Sequence, residues 1–427
     1  MCIAAPSKKE VSFLKTCING INTLSDCIHV DLGFAVMRLM YNNITTLCES
    51  ERCIGILSVP YALSSAGWLS LPLLIVIAVC AYFTGNLLRR CLDSDPEISS
   101  YSDIAGHAFG RKGWIIASII ICLELYLVAT GFLILEGDNM NKLSPNFQLK
   151  LGRLKIEGRH AFVIISGLII LPSVWLNDLG VLSYISAGGV LSSLVIVICV
   201  LLVGFTREVG FHPEQKVISL RGMPLALSLY TFCYGAHAVF PTIYSSMNKK
   251  GQFSKVLWLS FFVCTTINFL MAVIGYLIYG HNVQPQITLN LPTEKFASKV
   301  AIYTTLVGPI SKYALTIMPI ASALESLLPL KYRNRKLIRI MINTALLVSN
   351  VVLAIAFPSF QSLASLIGAI MIVLVSFVIP CVCYVKIFEV YRSWGTELLG
   401  ISVLIFLAIF VGVSGTYSSI VQTIHDA

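Results

Sequence analysis

The feature that most constrains this chain is a series of apolar runs, each about as long as a membrane is thick. Clear runs cover 69–88, 114–135, 161–176, 181–205, 222–245, 256–280, 298–324, 338–357, 361–385 and 398–420. An α-helix needs about 20 apolar residues to cross the hydrocarbon core. Because lipid offers no hydrogen-bond partners, a spanning segment must satisfy its backbone internally, as a helix does. The runs therefore predict an all-α integral membrane protein.

Composition excludes the other large classes. The chain is 56% hydrophobic and 12% charged, with a mean hydropathy of +0.83, whereas soluble domains carry about 25% charged residues. A soluble enzyme, a disordered chain and a fibrous repeat are excluded on these grounds. A membrane β-barrel would alternate apolar and polar residues over segments of about 10 residues, and these runs do not alternate.

The residues that often carry chemistry are scattered. The thirteen cysteines form no C-x-x-C pair, and many lie inside apolar runs, for example Cys80 and Cys199. Such cysteines are typical small buried hydrophobes. Neither H-E-x-x-H nor G-x-S-x-G occurs. We therefore predict that the protein is not an enzyme and has no cofactor and no metal site.

The net charge of +9 comes from Lys and Arg residues in short segments between the runs. This distribution indicates membrane topology and not nucleic-acid binding. The basic segments fall mostly on one side if the N-terminus is cytosolic, which the positive-inside rule favours. We expect membrane lipid as the surroundings, and the sequence defines no oligomeric state.

Two of the spans carry a matching interruption. In the first, Gly55 is followed by Pro60, and in the sixth, Gly235 is followed by Pro241. Gly tolerates the backbone angles of an unwound stretch, and Pro removes an N–H and frees a carbonyl. Many secondary transporters consist of two inverted repeats, with the substrate at the broken helices. The spacing therefore predicts a first repeat over 11–205, a second over 222–387 and an additional helix over 398–420, all in one transmembrane domain over 1–427.

Several stretches resemble one family along the whole chain. They read GILSVPYALSSAGWLSL (55–71), YSDIAGHAFGRKGW (101–114), SLYTFCYGAHAVFPTIYSSM (228–247), VQPQITLNLP (283–292) and SKYALTIMPIASALESLLP (311–329). In these residues the chain resembles the amino acid/auxin permease superfamily, and within it the plant vacuolar amino acid transporters. The resemblance implies eleven transmembrane helices, a fold like the bacterial leucine transporter and proton-linked amino acid transport, in an antiport mode. It also implies the vacuolar membrane as the location, ahead of the plasma membrane.

The first span departs from the family pattern. Two apolar fragments, 11–25 and 54–67, are separated by the polar segment 26–52 at the position where the family has a continuous helix. That segment carries six charged residues, and a charge at the centre of a membrane helix costs about 2.5–3.5 kcal/mol. We hypothesise that it is a retained intron or a displaced exon edge, and the alternative is a true insertion that reshapes the site.

The two broken spans supply the candidate substrate-binding residues. Freed N–H groups and half-helix N-termini can bind a carboxylate, and freed carbonyls can bind an ammonium group. For the carboxylate end we predict Gly55, Ile56, Leu57 and Ser58. For the ammonium end we predict Phe232, Tyr234 and Gly235. Tyr126 in the third span is either an aromatic lid on the substrate or a packing residue.

Ionisable residues inside spans are candidates for proton or ion coupling, because they are costly to place there. Glu124 is either a proton acceptor or a member of a structural pair. His237 either relays a proton or caps freed carbonyls as a neutral imidazole. Lys312 either places an ammonium group at a cation site or pairs with Glu124. We expect Glu136 and Glu325, at the ends of their spans, to face water.

These observations predict a secondary amino acid transporter that works by alternating access around a site at the membrane midplane. Its partners would be the amino acid substrate and protons. One alternative is an amino-acid-binding sensor that does not transport, although the tail before the first apolar fragment is only about ten residues long. Another is an isoform that the segment 26–52 makes inactive.

Overall fold

The computed structural model describes residues 55–151, 154–156, 158–175, 189–206, 216–247, 249–329, 335–392 and 395–426. All of them belong to one compact unit that spans residues 43–427. The predictions for the fragment 11–25 and the insertion 26–52 lie outside the described residues. So do residues 176–188, which belong to the predicted fourth and fifth spans.

The described chain is almost entirely helical. Its helices are α1 (55–66), α2 (Leu71–Ser94), α3 (Tyr101–Leu143), α4 (Gly158–Trp175), α5 (Gly189–Gly204), α6 (Met223–Phe232), α7 (Phe240–Ser246), α8 (Phe253–Tyr279), α9 (Phe296–Ser326), α10 (Lys336–Ala356), α11 (Phe360–Ile387) and α12 (Thr396–Asp426). A short antiparallel hairpin, β1 (Leu149–Leu151) and β2 (Leu154–Ile156), precedes α4.

Nine of the predicted membrane-crossing segments are confirmed in the described part of the chain. Among the described residues, nine helical segments are long and apolar enough to cross a membrane, with α6 and α7 counted as one. The shorter α1 and α5 occupy the positions of the first and fifth predicted spans. The protein is therefore a multi-pass, all-α membrane protein, as predicted from its apolar runs.

The third span is much longer than the predicted 114–135. A capping box at Ser100 starts α3, in which the Ser100 side chain accepts from the Asp103 N–H and the Asp103 carboxylate accepts from the Ser100 N–H. The chain then kinks at Gly110, where φ is 68°, a value that glycine adopts without strain. At the other end α3 continues to Leu143, beyond the apolar run.

This extension overturns one prediction. Glu136 was expected to face water, but it is fully buried within α3. The reason is that the segment after α8 folds back over the end of α3, and its Gln286 bonds to Asn139 on that helix. Glu325 is also largely buried, at 8% exposed, and forms an ion pair with Arg339 over 3.6 Å.

Packing places α3 at the centre of the described helices. It packs against α9, α4, α10 and α11, while α11 also packs against α6 and α12. In contrast, α10 and α12 expose many large apolar side chains, among them Val348, Val352, Phe406 and Phe410. Those faces carry the apolar surface that a helix needs toward lipid, and the polar groups lie inside.

Candidate substrate site

The sixth predicted span is interrupted over 233–236. α6 ends at Phe232 before this stretch, and a 3₁₀ turn over His237–Val239 leads from it into α7. Pro241 lies in the first turn of α7, where its missing N–H costs no helical hydrogen bond. The break predicted from Gly235 and Pro241 is therefore confirmed.

The first span behaves differently from the prediction. Residues 55–66 form a continuous helix, so the stretch from Gly55 to Pro60 is not unwound. Pro60 packs against Gly275 of α8, where a Cβ would lie 2.6 Å from the Pro60 Cβ. Proline is tolerated in membrane helices when neighbouring helices support it. The predicted break within 55–60 is thus wrong, because the described part of this span is helical from Gly55 to Ala66.

Gly55 brings the first span into direct contact with the break in the sixth. A Cβ on Gly55 would lie 2.8 Å from the Sγ of Cys233 and 3.1 Å from its Cα. Only glycine permits this approach. The next three predicted residues, Ile56, Leu57 and Ser58, are all buried, and the Ser58 hydroxyl donates to the Gly55 carbonyl over 3.0 Å.

The residues of the break itself are closely packed. Tyr234 is fully buried, its ring stacks on Phe261 at 5.9 Å, and its hydroxyl donates to the Thr265 hydroxyl over 3.1 Å. Gly235 faces Ile372, and a Cβ there would overlap that side chain. Ile372 lies in a π-helical stretch of α11, Ile367–Val378, a rare conformation that frequently occurs at functional sites.

His237 is fully buried immediately after the break. Its Nε2 lies 3.0 Å from the carbonyl oxygen of Ala81 and 3.0 Å from the hydroxyl of Thr84, both on α2. A carbonyl oxygen only accepts, so Nε2 carries a hydrogen and donates. Nδ1 has no hydrogen-bond partner among the described residues. The bonds that the ring forms are those of a neutral imidazole that caps a carbonyl.

The other two predicted coupling residues lie on helices that pack against each other, Glu124 on α3 and Lys312 on α9. Glu124 is 2% exposed, and its Oε2 has no hydrogen-bond partner among the described residues. Lys312 is half-buried. The alternative roles of these two residues stay predictions.

Tyr126 points toward α10. Its hydroxyl donates to the hydroxyl of Ser349 over 3.0 Å, at a position exposed on the surface of the protein. On the neighbouring turn, Thr130 donates to Asn350 over 3.1 Å, and Asn350 donates to the hydroxyl of Tyr313 over 2.8 Å. Tyr126 therefore belongs to the packing between α3 and α10, which was one of its two predicted roles.

A polar network that the sequence analysis missed lies at the end of α3. Arg159 of α4 forms an ion pair with Asp138 over 2.8 Å and donates to the Phe357 carbonyl over 3.1 Å. Gln286 donates to the other oxygen of Asp138 over 2.7 Å and accepts from Asn139 over 2.7 Å. The signal in the sequence was the polar pair Asp138 and Asn139, which follows Gly137 just after the end of an apolar run.

A second polar group lies where α2 ends. Tyr244 of α7 donates to Asp93, which also pairs with Arg89 over 3.3 Å. These contacts join α7, the helix after the break, to the C-terminal end of α2. Within the described residues, no group of three or more His, Cys, Asp or Glu side chains could hold a metal ion.

Taken together, the geometry defines a helical transporter fold with a broken helix buried at its centre. Solved structures show the same fold. The chain aligns with a substrate-bound outward-open Na⁺-coupled sialic acid symporter at a TM-score of 0.55 and 13% identity, covering 91% of this chain and 89% of that one. It aligns with MhsT in complex with L-phenylalanine at a TM-score of 0.56 and 13% identity, covering 88% and 98%.

Sequence comparison identifies the family. The model of the family described as "Transmembrane amino acid transporter protein" matches residues 37–425, so the chain belongs to this amino acid transporter family. The Arabidopsis thaliana amino acid transporter AVT1I is 45% identical over 406 residues, which cover 95% of this chain and 94% of that protein. Amino acid transporter AVT1J from the same plant is 45% identical over 412 residues, which cover 96% and 91%.

Proposed function

We propose that this chain is a proton-coupled secondary transporter that moves amino acids across the vacuolar membrane by alternating access. Membership of the amino acid transporter family supports the substrate class. The observation that carries the mechanism is the buried break over 233–236, held against the first span at Gly55. Broken helices at a repeat interface are the typical substrate position in transporters of this fold.

In this proposal the substrate lies between α1 and the break over 233–236, which are in contact at Gly55. Gly55, Ile56, Leu57 and Ser58 of α1 would form the side that binds the carboxylate. Phe232 at the end of α6, with Tyr234 and Gly235 of the break, would supply carbonyl oxygens or wall for the ammonium group. A zwitterion suits both sides at once, which neither a simple cation nor a simple anion does.

The coupling roles are assigned in the same proposal. Glu124 would be a proton acceptor inside the membrane, because it is buried with an oxygen that no described group satisfies. His237 would hold the break against α2 through Ala81. Lys312 would place its ammonium group at a position that a coupling cation could otherwise occupy.

The experiment that tests the proposal measures uptake of radiolabelled leucine into vesicles that contain the full chain. Uptake is compared with and without a pH gradient, and with the remaining common amino acids as unlabelled competitors. We expect uptake that requires the gradient and that several amino acids compete for. Binding without uptake would indicate a sensor instead, and uptake that ignores the gradient would contradict proton coupling.

The segment 26–52 is tested in the same assay. A matched version that lacks residues 26–52 joins the two apolar fragments into the continuous helix of the family pattern. If the segment disables the first span, only the shortened version transports. Equal transport by both versions would show that the segment is tolerated. A fluorescent fusion of each version then distinguishes the vacuolar from the plasma membrane.

A further inference from the structure

Glu136 is the most unusual polar residue in the described chain. It lies on α3, one residue before Gly137 and two before Asp138, and its side chain is 0% exposed. Both of its carboxyl oxygens lack a hydrogen-bond partner among the described residues. An unpaired buried carboxylate is so costly that it rarely persists as a charge. The Glu136 carboxyl therefore needs either a hydrogen-bond donor or a proton that the described residues do not supply.

A second observation points to the same place. Asn139 lies three residues after Glu136, so the two side chains are neighbours on one face of α3. Asn139 is also 0% exposed, and both hydrogens of its amide nitrogen are used, on the Leu135 carbonyl and on Gln286. Its Oδ1 has no partner. This face thus presents three buried acceptor oxygens and no donor.

The charged groups nearby do not supply the missing donor. On α3 itself, Asp138 is paired with Arg159 of α4, whose remaining described bond goes to the Phe357 carbonyl. Other titratable groups near this end are Lys142 in the last turn of α3, His160 of α4, and Lys299 and Tyr303 of α9, while His237 lies against the middle of α2. None of them bonds to Glu136 in the described residues. On α10 and α11, the charged residues Lys336, Arg339 and Lys386 lie at the opposite ends.

From this geometry we propose that Glu136 is a proton-binding residue of the transport cycle. A proton on Glu136 converts one of the three acceptors into a donor and removes the uncompensated charge in a single step. The reaction is the transfer of a proton from a hydronium ion to the carboxylate, which leaves water and a carboxylic acid. This inference rests on the proposed proton-coupled transport, and it adds a site that is separate from the broken helix.

The position suits entry of a proton from the side on which α3 ends. Glu124 lies twelve residues earlier on the same helix, which corresponds to about 18 Å along the axis. α3 therefore carries two buried carboxyls at different depths, each with at least one oxygen lacking a partner. Glu136 is the one closer to the hairpin of β1 and β2, and so to water on that side.

The test uses full-length protein in lipid vesicles with radiolabelled leucine as the probe. It compares wild type, Glu136→Gln, Glu136→Asp and a matched control, Glu294→Gln, which makes the same change at an exposed residue before α9. Two transport modes are measured: net uptake driven by a pH gradient, and exchange of labelled for unlabelled leucine at equal pH. Glutamine resembles the protonated acid permanently, so it should permit exchange but not proton-driven net transport.

We expect Glu136→Gln to lose gradient-driven uptake and leucine-induced proton flux while exchange continues. Glu136→Asp should restore part of the response, and Glu294→Gln should match wild type. Unchanged gradient-driven uptake in Glu136→Gln would overturn the inference, as would equal loss of both modes in correctly folded protein. If a Na⁺ gradient drives uptake and Glu136→Gln abolishes that response, the bound species is a cation and the inference is also wrong.

The same experiment separates the two proposals. Wild type that neither takes up nor exchanges any amino acid would contradict the proposed function. Wild type that transports with the gradient, together with an unchanged Glu136→Gln variant, would contradict only the role of Glu136. Infrared difference spectra taken across pH give an independent measurement, since a buried carboxylic acid has a carbonyl band that Glu136→Gln must lack.

Discussion

Asp138 and Glu136 lie two residues apart on α3, and their surroundings are opposite. Asp138 has each of its oxygens bonded, one to Arg159 and one to Gln286. Glu136 has neither oxygen bonded within the described residues. Because α3 turns by about 100° per residue, the two carboxyls face different neighbours. One carboxylate is thus held permanently as part of the structure, and the other can gain and lose a proton.

Other buried polar groups also differ in whether their hydrogen-bonding atoms have partners. At the break in the sixth span, His237 has a donor position satisfied by Ala81 and Thr84. At the end of α3, Asn139 has its donors satisfied and its acceptor unsatisfied. In a membrane protein a polar group without a partner is more informative than one with partners, because lipid cannot replace the missing bond.

Arg159→Met should give the largest effect on stability. It leaves Asp138 as a half-buried charge without its ion pair and also frees the Phe357 carbonyl. Removing one partner of such a pair costs roughly 2–3 kcal/mol. Thermal unfolding in detergent measures the loss as a lower Tm. The control is Lys155→Met on β2, which is exposed and should leave the Tm unchanged. An equal Tm for both variants would show that the Asp138 pair is not structural.

Gln286→Leu should have the next largest effect. Its amide is fully buried and links Asp138 to Asn139 across two segments of the chain. Loss of both bonds should cost about 1–2 kcal/mol. Gln284→Leu makes the same change two residues earlier at an exposed side chain and should be nearly neutral. If the two variants unfold at the same temperature, the segment after α8 does not cover α3 as described.

Thr84→Val tests His237, the buried group at the break that has hydrogen-bond partners. It removes the hydroxyl near Nε2 of His237 and leaves the bond to Ala81, so the loss should be about 1 kcal/mol. Thr266→Val is the matched control, because Thr266 is exposed and bonds only within α8 to Phe262. A structural His237 predicts that Thr84→Val lowers the Tm without changing the pH profile of leucine uptake. A shifted profile would instead favour a proton relay through His237.

Much of this architecture follows from sequence patterns, because membrane helices are defined by long local runs. The runs predicted the positions of the segments, and Gly235 with Pro241 predicted the break. Pro60 misled the prediction, because its effect depends on support from Gly275 of α8, which is distant in the chain. Spacing also placed Glu124 and Lys312 within their spans but did not give the direction in which each side chain points.

Glu136 illustrates the limit most clearly. At the end of an apolar run and followed by Gly-Asp-Asn, it has the local pattern of a residue that faces water. The end of α3 on which it lies is covered by a segment about 150 residues later in the chain, where Gln286 bonds to Asp138 and Asn139. Long-range packing of this kind leaves no periodic signal near the residue it covers.

Glu136→Gln should have the smallest effect on the free energy of unfolding. It therefore tests directly whether Glu136 and Asp138 have different roles on α3. A protonated glutamate and a glutamine have the same shape and no charge, so the free energy of unfolding should change by no more than about 0.5 kcal/mol. Asp138→Asn, the equivalent change two residues away, loses charge-assisted bonds worth roughly 1.5–3 kcal/mol. Both variants are compared by thermal unfolding in the same detergent. If Glu136→Gln were as destabilising as Asp138→Asn, the Glu136 carboxylate would have to be charged and compensated in the folded protein. Its two oxygens would then need a partner, and the distinction between a structural and a proton-binding carboxyl on α3 would not hold.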